Sequence, residues 1–248
     1  MRYFIEFSYF GKAYHGWQVQ PNAITVQRVL EEAFSTIMGQ EISLVAAGRT
    51  DAGVHAKQMF AHFDSDEIEN SDDLVFRLNS LLPEDIAVKC IFDVPHDSHA
   101  RFNATERTYE YWLVQQKNPF YTDEAHYVNR SLAVDKMNDA ATLMLSYSDF
   151  ECFSKSKTEV HTYLCDLKKA EWRMVDDRLV FTITADRFLR NMVRAIVGTL
   201  LEVGLGKWNL DDVKNILESK NRSKAGASVP AKGLYLVAIK YPSKIINS

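Results

Sequence analysis

The sequence predicts an α+β fold of two related ferredoxin-like halves, each a mostly antiparallel sheet flanked by helices. Three observations predict it. Strand patterns of period two alternate with helix patterns of period 3.6 along the chain. The first hundred residues read strand, helix, strand, strand, helix, strand, which is a ferredoxin-like order, and the remainder repeats the theme. We therefore expect an N-terminal half over 1–100 and a C-terminal half over 101–248. At 248 residues and 46% hydrophobic content the chain can bury a full core.

The first predicted strand covers 2–10, where aromatic and polar residues alternate in RYFIEFSYF. A helix follows from about Thr25 to Met38, because Val26, Val29, Leu30, Ala33, Phe34, Ile37 and Met38 recur at helical spacing. Thr25 is its expected N-cap and Gly39 its stop. Strands near 42–47, 58–64 and 86–93 come next, with a helix over 71–82 between the last two. In the second half we expect a strand at 107–115, a helix at about 134–145, strands near 162–174 and 178–186, and a helix from about 188. A shorter helix over about 210–218 is capped by Asn209 and carries Asp211 and Asp212 in its first turn. The segment GLYLVAIKY supplies a last strand. Residues 117–129 and 219–232 read as loops, the second carrying Lys220, Arg222, Lys224 and Lys232 as candidate phosphate contacts.

Composition excludes several function classes. The longest apolar run, AIVGTLLEVGL near residue 200, falls short of the roughly 20 residues that a bilayer span needs. The N-terminus carries no apolar signal region followed by small residues, so a cytoplasmic protein is expected. The three cysteines, Cys90, Cys152 and Cys165, form neither an even disulfide set nor a CxxC pattern, and read as reduced thiols. Of His15, His55, His62 and His99, no two share the spacing that a metal site on a rigid element needs. No GxSxG elbow marks a serine hydrolase. The 33 acids outweigh the 29 Lys and Arg residues, a net charge of -4, so any nucleic-acid surface requires basic residues gathered on one face.

The string that carries chemistry is AAGRTDAGVHA at 46–56. An apolar strand ends in Gly48 and presents Arg49, Thr50 and Asp51 before Gly53. A carboxylate on a glycine-bracketed loop at a strand end is placed to meet a ligand. Arg187, Arg190 and Arg194 lie three and four residues apart, and share one face if the helix begins near 188. They would then stand opposite an apolar face of Met192, Val193, Ile196, Val197 and Leu200.

GRTDAGVHA resembles the catalytic motif of the TruA family of tRNA pseudouridine synthases. Supporting matches run along nearly the whole chain: YHGWQVQ at 14–20, NSLLPEDIAV at 79–88, HARFNAT and TYEY across 99–111, FLRNMVRAIVGTL at 188–200 and PAKGLYLVAIKY at 230–241. The resemblance implies the pseudouridine synthase fold and isomerisation of uridine in the anticodon stem-loop of tRNA, at positions 38, 39 and 40. It implies Asp51 as the catalytic carboxylate, Tyr109 packing on the target base, Arg194 as the ion-pair partner of Asp51, and Arg49 in RNA engagement. A homodimer whose RNA cleft uses both subunits is likewise implied. The reaction changes no oxidation state and consumes no water, so no cofactor or metal is expected.

Two departures stand out. Where the family commonly has Tyr-Asp-Gly, this chain has Tyr9, Phe10 and Gly11, and where it usually carries an Asn and a small residue, Asp186 and Arg187 stand. The alternative reading is a non-catalytic RNA-binding protein with two ferredoxin-like halves, which would need the basic helix but not Asp51. A metal-assisted phosphodiester hydrolase using Asp51 and His55 is a further rival, separated by its sensitivity to chelator.

Overall fold

The computed structural model describes residues 1–155 and 161–246. Among them the strands, in chain order, are β1 (Arg2–Tyr9), β2 (Val45–Ala46), β3 (His55–Asp64), β4 (Ile86–Val94), β5 (Glu106–Val114), β6 (His126–Tyr127), β7 (Leu167–Val175), β8 (Arg178–Ala185) and β9 (Leu234–Lys240). The helices are α1 (Val26–Met38), α2 (Ser71–Leu81), α3 (Val134–Met144), α4 (Met192–Gly204) and α5 (Leu210–Ser219). The fold is α+β with mostly antiparallel pairing. The chain forms two compact units, Met1–Thr105 with Tyr235–Ser248, and Glu106–Leu234.

In the first unit β1 lies between β4 and β3, antiparallel to both. β2 joins the far end of β3 through Val45↔His62 and Ala46↔Ala61. The resulting order β4-β1-β3-β2 is that of a split βαβ unit. β9 runs parallel to the beginning of β3, pairing Tyr235 with His55 and Leu236 with Ala56. The edge of β3 thus has a different partner at each end, and the loop between β2 and β3 falls where the partner changes.

Local chemistry sets the helix ends. The Thr25 hydroxyl accepts the Arg28 N–H at 3.4 Å, and Gly39 at φ 68° closes α1 by donating to Ser35 O. Asn70 accepts from Asp73 N–H at 2.9 Å to start α2. The core lies on one face of this sheet, where Phe34 of α1 meets Phe63 of β3 at 5.1 Å and Phe7 of β1 meets Trp17 at 5.3 Å. All four rings are buried, so truncating any of them to alanine is expected to cost about 3–5 kcal/mol. On the opposite face the Tyr241 ring packs edge-on against Phe4 and Phe60.

In the second unit β8 pairs antiparallel with β5 and β7, and β6 runs parallel to β5. α3 packs on β7 and α4. A capping box between Asn209 and Asp212 opens α5.

The structure corrects the sequence expectations in several places. α4 begins at Met192, not near 188, because Asn191 adopts the left-handed conformation at φ 67° and the backbone before it is bonded elsewhere. The Asp186 carboxylate accepts both Arg187 N–H and Asp166 N–H, and Lys155 N–H donates to Arg190 O. Arg187 and Arg190 therefore precede the helix and share no helical face with Arg194. Nor is α4 amphipathic: of its residues only Arg194 and Glu202 escape full burial. β7 starts at Leu167 rather than 162, since Leu164 makes only an isolated bridge to Asp149. Residues 117–129, expected as loop, contain a turn of 3-10 helix at Pro119–Tyr121 and the short strand β6.

Candidate active site

Asp51 lies on the loop from Ala47 to Val54, and that loop is gripped by backbone as well as by side chains. Ala47 N–H donates to Phe60 O at 2.8 Å, continuing the β2 contact. Trp17 N–H donates to Thr50 O at 3.2 Å, and Gly53 N–H donates to Tyr14 O at 3.2 Å. The loop also closes on itself through Val54 N–H to Asp51 O. Thr50 is held a second time, by a 2.8 Å hydrogen bond between its hydroxyl and that of Tyr9. The loop is thus fixed at its base, with Asp51 half-buried and Arg49 exposed.

Two glycines make this grip possible. Gly16 sits at φ 88°, and a Cβ there would overlap Thr50 O and approach Asp51 C at 3.1 Å and Ala52 N at 3.2 Å. A Cβ on Gly11 would overlap the Val54 carbonyl. Both positions bring one stretch of main chain against another, where no side chain fits. The YHGWQ string, noticed in the sequence only through resemblance, thus supplies the loop's support.

His55 follows the loop. It is buried, and its Nδ1 accepts the Gly11 N–H at 2.9 Å. Its ring is stacked between Phe10 at 4.1 Å and Tyr235 at 4.6 Å. His55 thus braces the loop. Phe10, where the resembling family has an aspartate, keeps its backbone bond to Asp85 O at 2.8 Å and presents an aromatic face instead of a carboxylate. His62 and His99 form a separate ring pair at 4.5 Å, each accepting a backbone N–H through Nδ1. Burial, then the neighbouring His99 and Arg2 charges, push His62 down to about 4.

The second unit carries Tyr109 and Arg194. Tyr109 lies on β5 opposite Ile183, half-buried, with its ring edge-on to Phe188 at 5.2 Å. Arg194 projects from α4 and exchanges bonds with Val229: its Nε donates to Val229 O at 2.8 Å, and its own carbonyl accepts Val229 N–H at 3.3 Å. The 225–229 segment reaches α4 because Gly198 and Gly226 leave room for backbone contact, and Gly226 N–H donates to the buried Thr199 hydroxyl. Tyr111, two residues from Tyr109 on the same face of β5, donates to Pro230 O at 2.9 Å. Burial raises the Tyr111 phenol's pKa, and the nearby Arg194 charge opposes the rise.

Among the other basic candidates, Lys220 is paired with Asp149 at 2.5 Å. Arg222 is bonded to Gly226 O and the Ser228 hydroxyl, and Lys232 to Thr122 O. Three of the four lysine and arginine side chains read as phosphate contacts thus have partners within the second unit, Arg222 inside its own loop and Lys220 and Lys232 outside it. Asp186 likewise serves local structure, its carbonyl accepting from Arg107 at 2.7 Å. Sequence reasoning did not single out Tyr9, Gly16 or Phe188. Gly16 carried the one available signal, a glycine between aromatic residues ahead of a helix cap.

No described helix is long and apolar enough to cross a membrane. A family described as tRNA pseudouridine synthase matches residues 6–103 and 140–242, which include the Asp51 loop, α4 and the 225–229 segment. A protein of Bacteroides fragilis called tRNA pseudouridine synthase A is 50% identical, covering 99% of this chain and 98% of its own. A relative of the same name from Parabacteroides distasonis is 50% identical over 98% and 97% of the two chains, and one from Francisella philomiragia is 37% identical over 97% and 94%. With one family spanning both units and relatives matching end to end, this chain belongs to the tRNA pseudouridine synthase family.

Proposed function

We propose that the chain isomerises uridine to pseudouridine in the anticodon stem-loop of tRNA, at positions 38, 39 and 40, with Asp51 as the catalytic carboxylate. The observation that carries the proposal is the Asp51 loop: a half-buried carboxylate on a glycine-bracketed turn, held by backbone bonds from two flanking segments. Such a loop keeps its geometry while a substrate is exchanged.

The reaction breaks the N1–C1′ bond, turns the freed uracil and forms a C5–C1′ bond; the C5 proton is lost and N1 gains one. Uracil departs as an anion delocalised over its carbonyl oxygens, so one ionised carboxylate suffices where glycosidases use two. In this reading Arg194 pairs with Asp51 and aims it, and its bonds with Val229 fix the guanidinium in turn. Reaching C1′ requires the nucleotide to leave the stack, at a cost of a few kcal/mol. Tyr109 packs on the extruded base, supported by Phe188, and Arg49 holds the RNA where the base has left. The N-terminal part, about 1–100, thus carries the catalytic carboxylate, and the C-terminal part the base-contacting tyrosine and the arginine. The protein acts in the cytoplasm, as a homodimer that receives one RNA across both subunits.

The test is tritium release from tRNA labelled at uridine C5, without added metal. Wild type should release tritium, and Asp51→Asn should release none while still binding tRNA. Turnover by Asp51→Asn near the wild-type rate would remove the carboxylate from the mechanism.

A further inference from the structure

Within the first unit, one end of the sheet face opposite α1 and α2 is covered. There Tyr241 lies on Phe4 and Phe60, and its hydroxyl bonds to Ala100 O. At the other end Ser8 of β1 stands opposite Ala87 of β4, and these small side chains leave a cleft of about 350 Å³. Its walls differ. On one side is the column of three rings, in which His55 and Tyr235 are buried and Phe10 is the partly exposed end. The ammonium of Lys57 lies 5.7 Å from the Tyr235 ring at the same wall. On the other side stand the carboxylates of Glu84 and Asp85.

We propose that this cleft is a stacking site for one unpaired nucleotide of the RNA substrate, other than the uridine that is isomerised. The inference rests on the tRNA reading above. An aromatic ring propped from behind by two others is a rigid platform for a base, and such stacking tolerates any base because each has a π-face. The carboxylates add a preference. A carboxylate only accepts, so it favours a base edge with adjacent N–H donors, which guanine offers and uracil does not. Asp85 is already oriented by the Tyr14 hydroxyl at 2.5 Å, while Glu84 is exposed and can turn to the ligand. Lys57, exposed at the rim, supplies a cation for the attached phosphate. The volume is at the lower end of the roughly 300–1,000 Å³ usual for small-molecule sites, which suits one nucleotide and not a helix.

The test is steady-state kinetics on unmodified tRNA, with direct binding of the same labelled RNA alongside. Losing a base–aromatic stack costs about 1–3 kcal/mol, so Phe10→Ala should raise KM and Kd by about 5- to 150-fold with kcat within about twofold. Ala87→Phe, at an exposed position across the cleft, fills the cleft while leaving the three residues of the ring column unaltered in sequence, and should do the same. Phe10→Tyr should restore wild-type values. Unchanged KM and Kd in both Phe10→Ala and Ala87→Phe would overturn the site. So would a fall in kcat at constant KM in Phe10→Ala, which would make Phe10 only a prop for His55. If wild type releases no tritium yet Phe10→Ala still weakens RNA binding, the isomerase reading fails and the stacking site stands.

Discussion

Replacing Gly16 by alanine tests whether the support beneath the Asp51 loop governs catalysis. Gly16 is at φ 88°, where an L-residue is strained by about 1–2 kcal/mol. The new Cβ also overlaps Thr50 O and crowds the Asp51 carbonyl carbon at 3.1 Å, and relieving such overlap costs about 1–3 kcal/mol. The sum, about 2–5 kcal/mol, corresponds to a fall in Tm of about 4–20 °C for a chain of this size. The atoms that must yield belong to Thr50, Asp51 and Ala52, so relaxation moves the carboxylate. A displacement of about 1 Å costs on the order of a hundredfold in rate. Gly39→Ala is the matched control: Gly39 is also left-handed, at φ 68°, but a Cβ there meets nothing within 4 Å. It should lower Tm by about 2–8 °C and leave tritium release unchanged. Both variants would be followed by circular dichroism melting and by kcat at saturating tRNA. A Gly16→Ala enzyme with wild-type kcat would refute the argument that this contact sets the position of Asp51.

Tyr9→Phe removes the hydroxyl that holds Thr50 and should lower kcat by about two- to tenfold with KM little changed; an unaltered kcat would leave the loop to its backbone bonds alone. Arg194→Lys keeps the charge but loses the Nε donor to Val229 O, so single-turnover release should slow by about tenfold or more while the far-UV spectrum is preserved, and a wild-type rate would show that charge alone suffices. His62 is depressed to about 4 against about 6.5 unfolded, so its contribution is complete above pH 6.5 and is lost as pH falls toward 4. Discounted for partial solvent access, the loss is roughly 1–2 kcal/mol, and urea melts of His62→Gln should show a flatter acid arm between those limits; identical arms would exclude His62 as its source.

The elements legible in the sequence are those decided locally. α1 and α5 were bounded to within a residue because Thr25, Gly39 and Asn209 act on backbone groups three or four positions away. Asp51 could be singled out because glycines bracket it. What escaped depends on residues far apart in the chain. β3 begins at His55 rather than 58 because its first residues pair with Tyr235 and Leu236 of β9. The start of α4 is set by Asp186, Asn191 and Lys155, whose partners no helical periodicity reveals. The column Phe10, His55, Tyr235 assembles three separate strings, and its exposed end coincides with a departure from the family pattern. Arginine spacing misled because three and four residues matter only within a helix, and two of the three arginines stand before it.

The parallel pairing of β9 with the start of β3 also bears on when the protein becomes competent during synthesis. Folding proceeds as the chain leaves the ribosome, yet the strand that flanks the Asp51 loop emerges only after the whole of the second unit. The first 105 residues can collapse early, but His55 and Ala56 wait for Tyr235 and Leu236, so the end of β3 that adjoins the Asp51 loop is completed last. A chain stopped after Gly233 should therefore be cut by protease near residues 47–57 while its α1 core resists. The same shortened chain should release no tritium from labelled tRNA, because the segment that follows Asp51 lacks its partner strand.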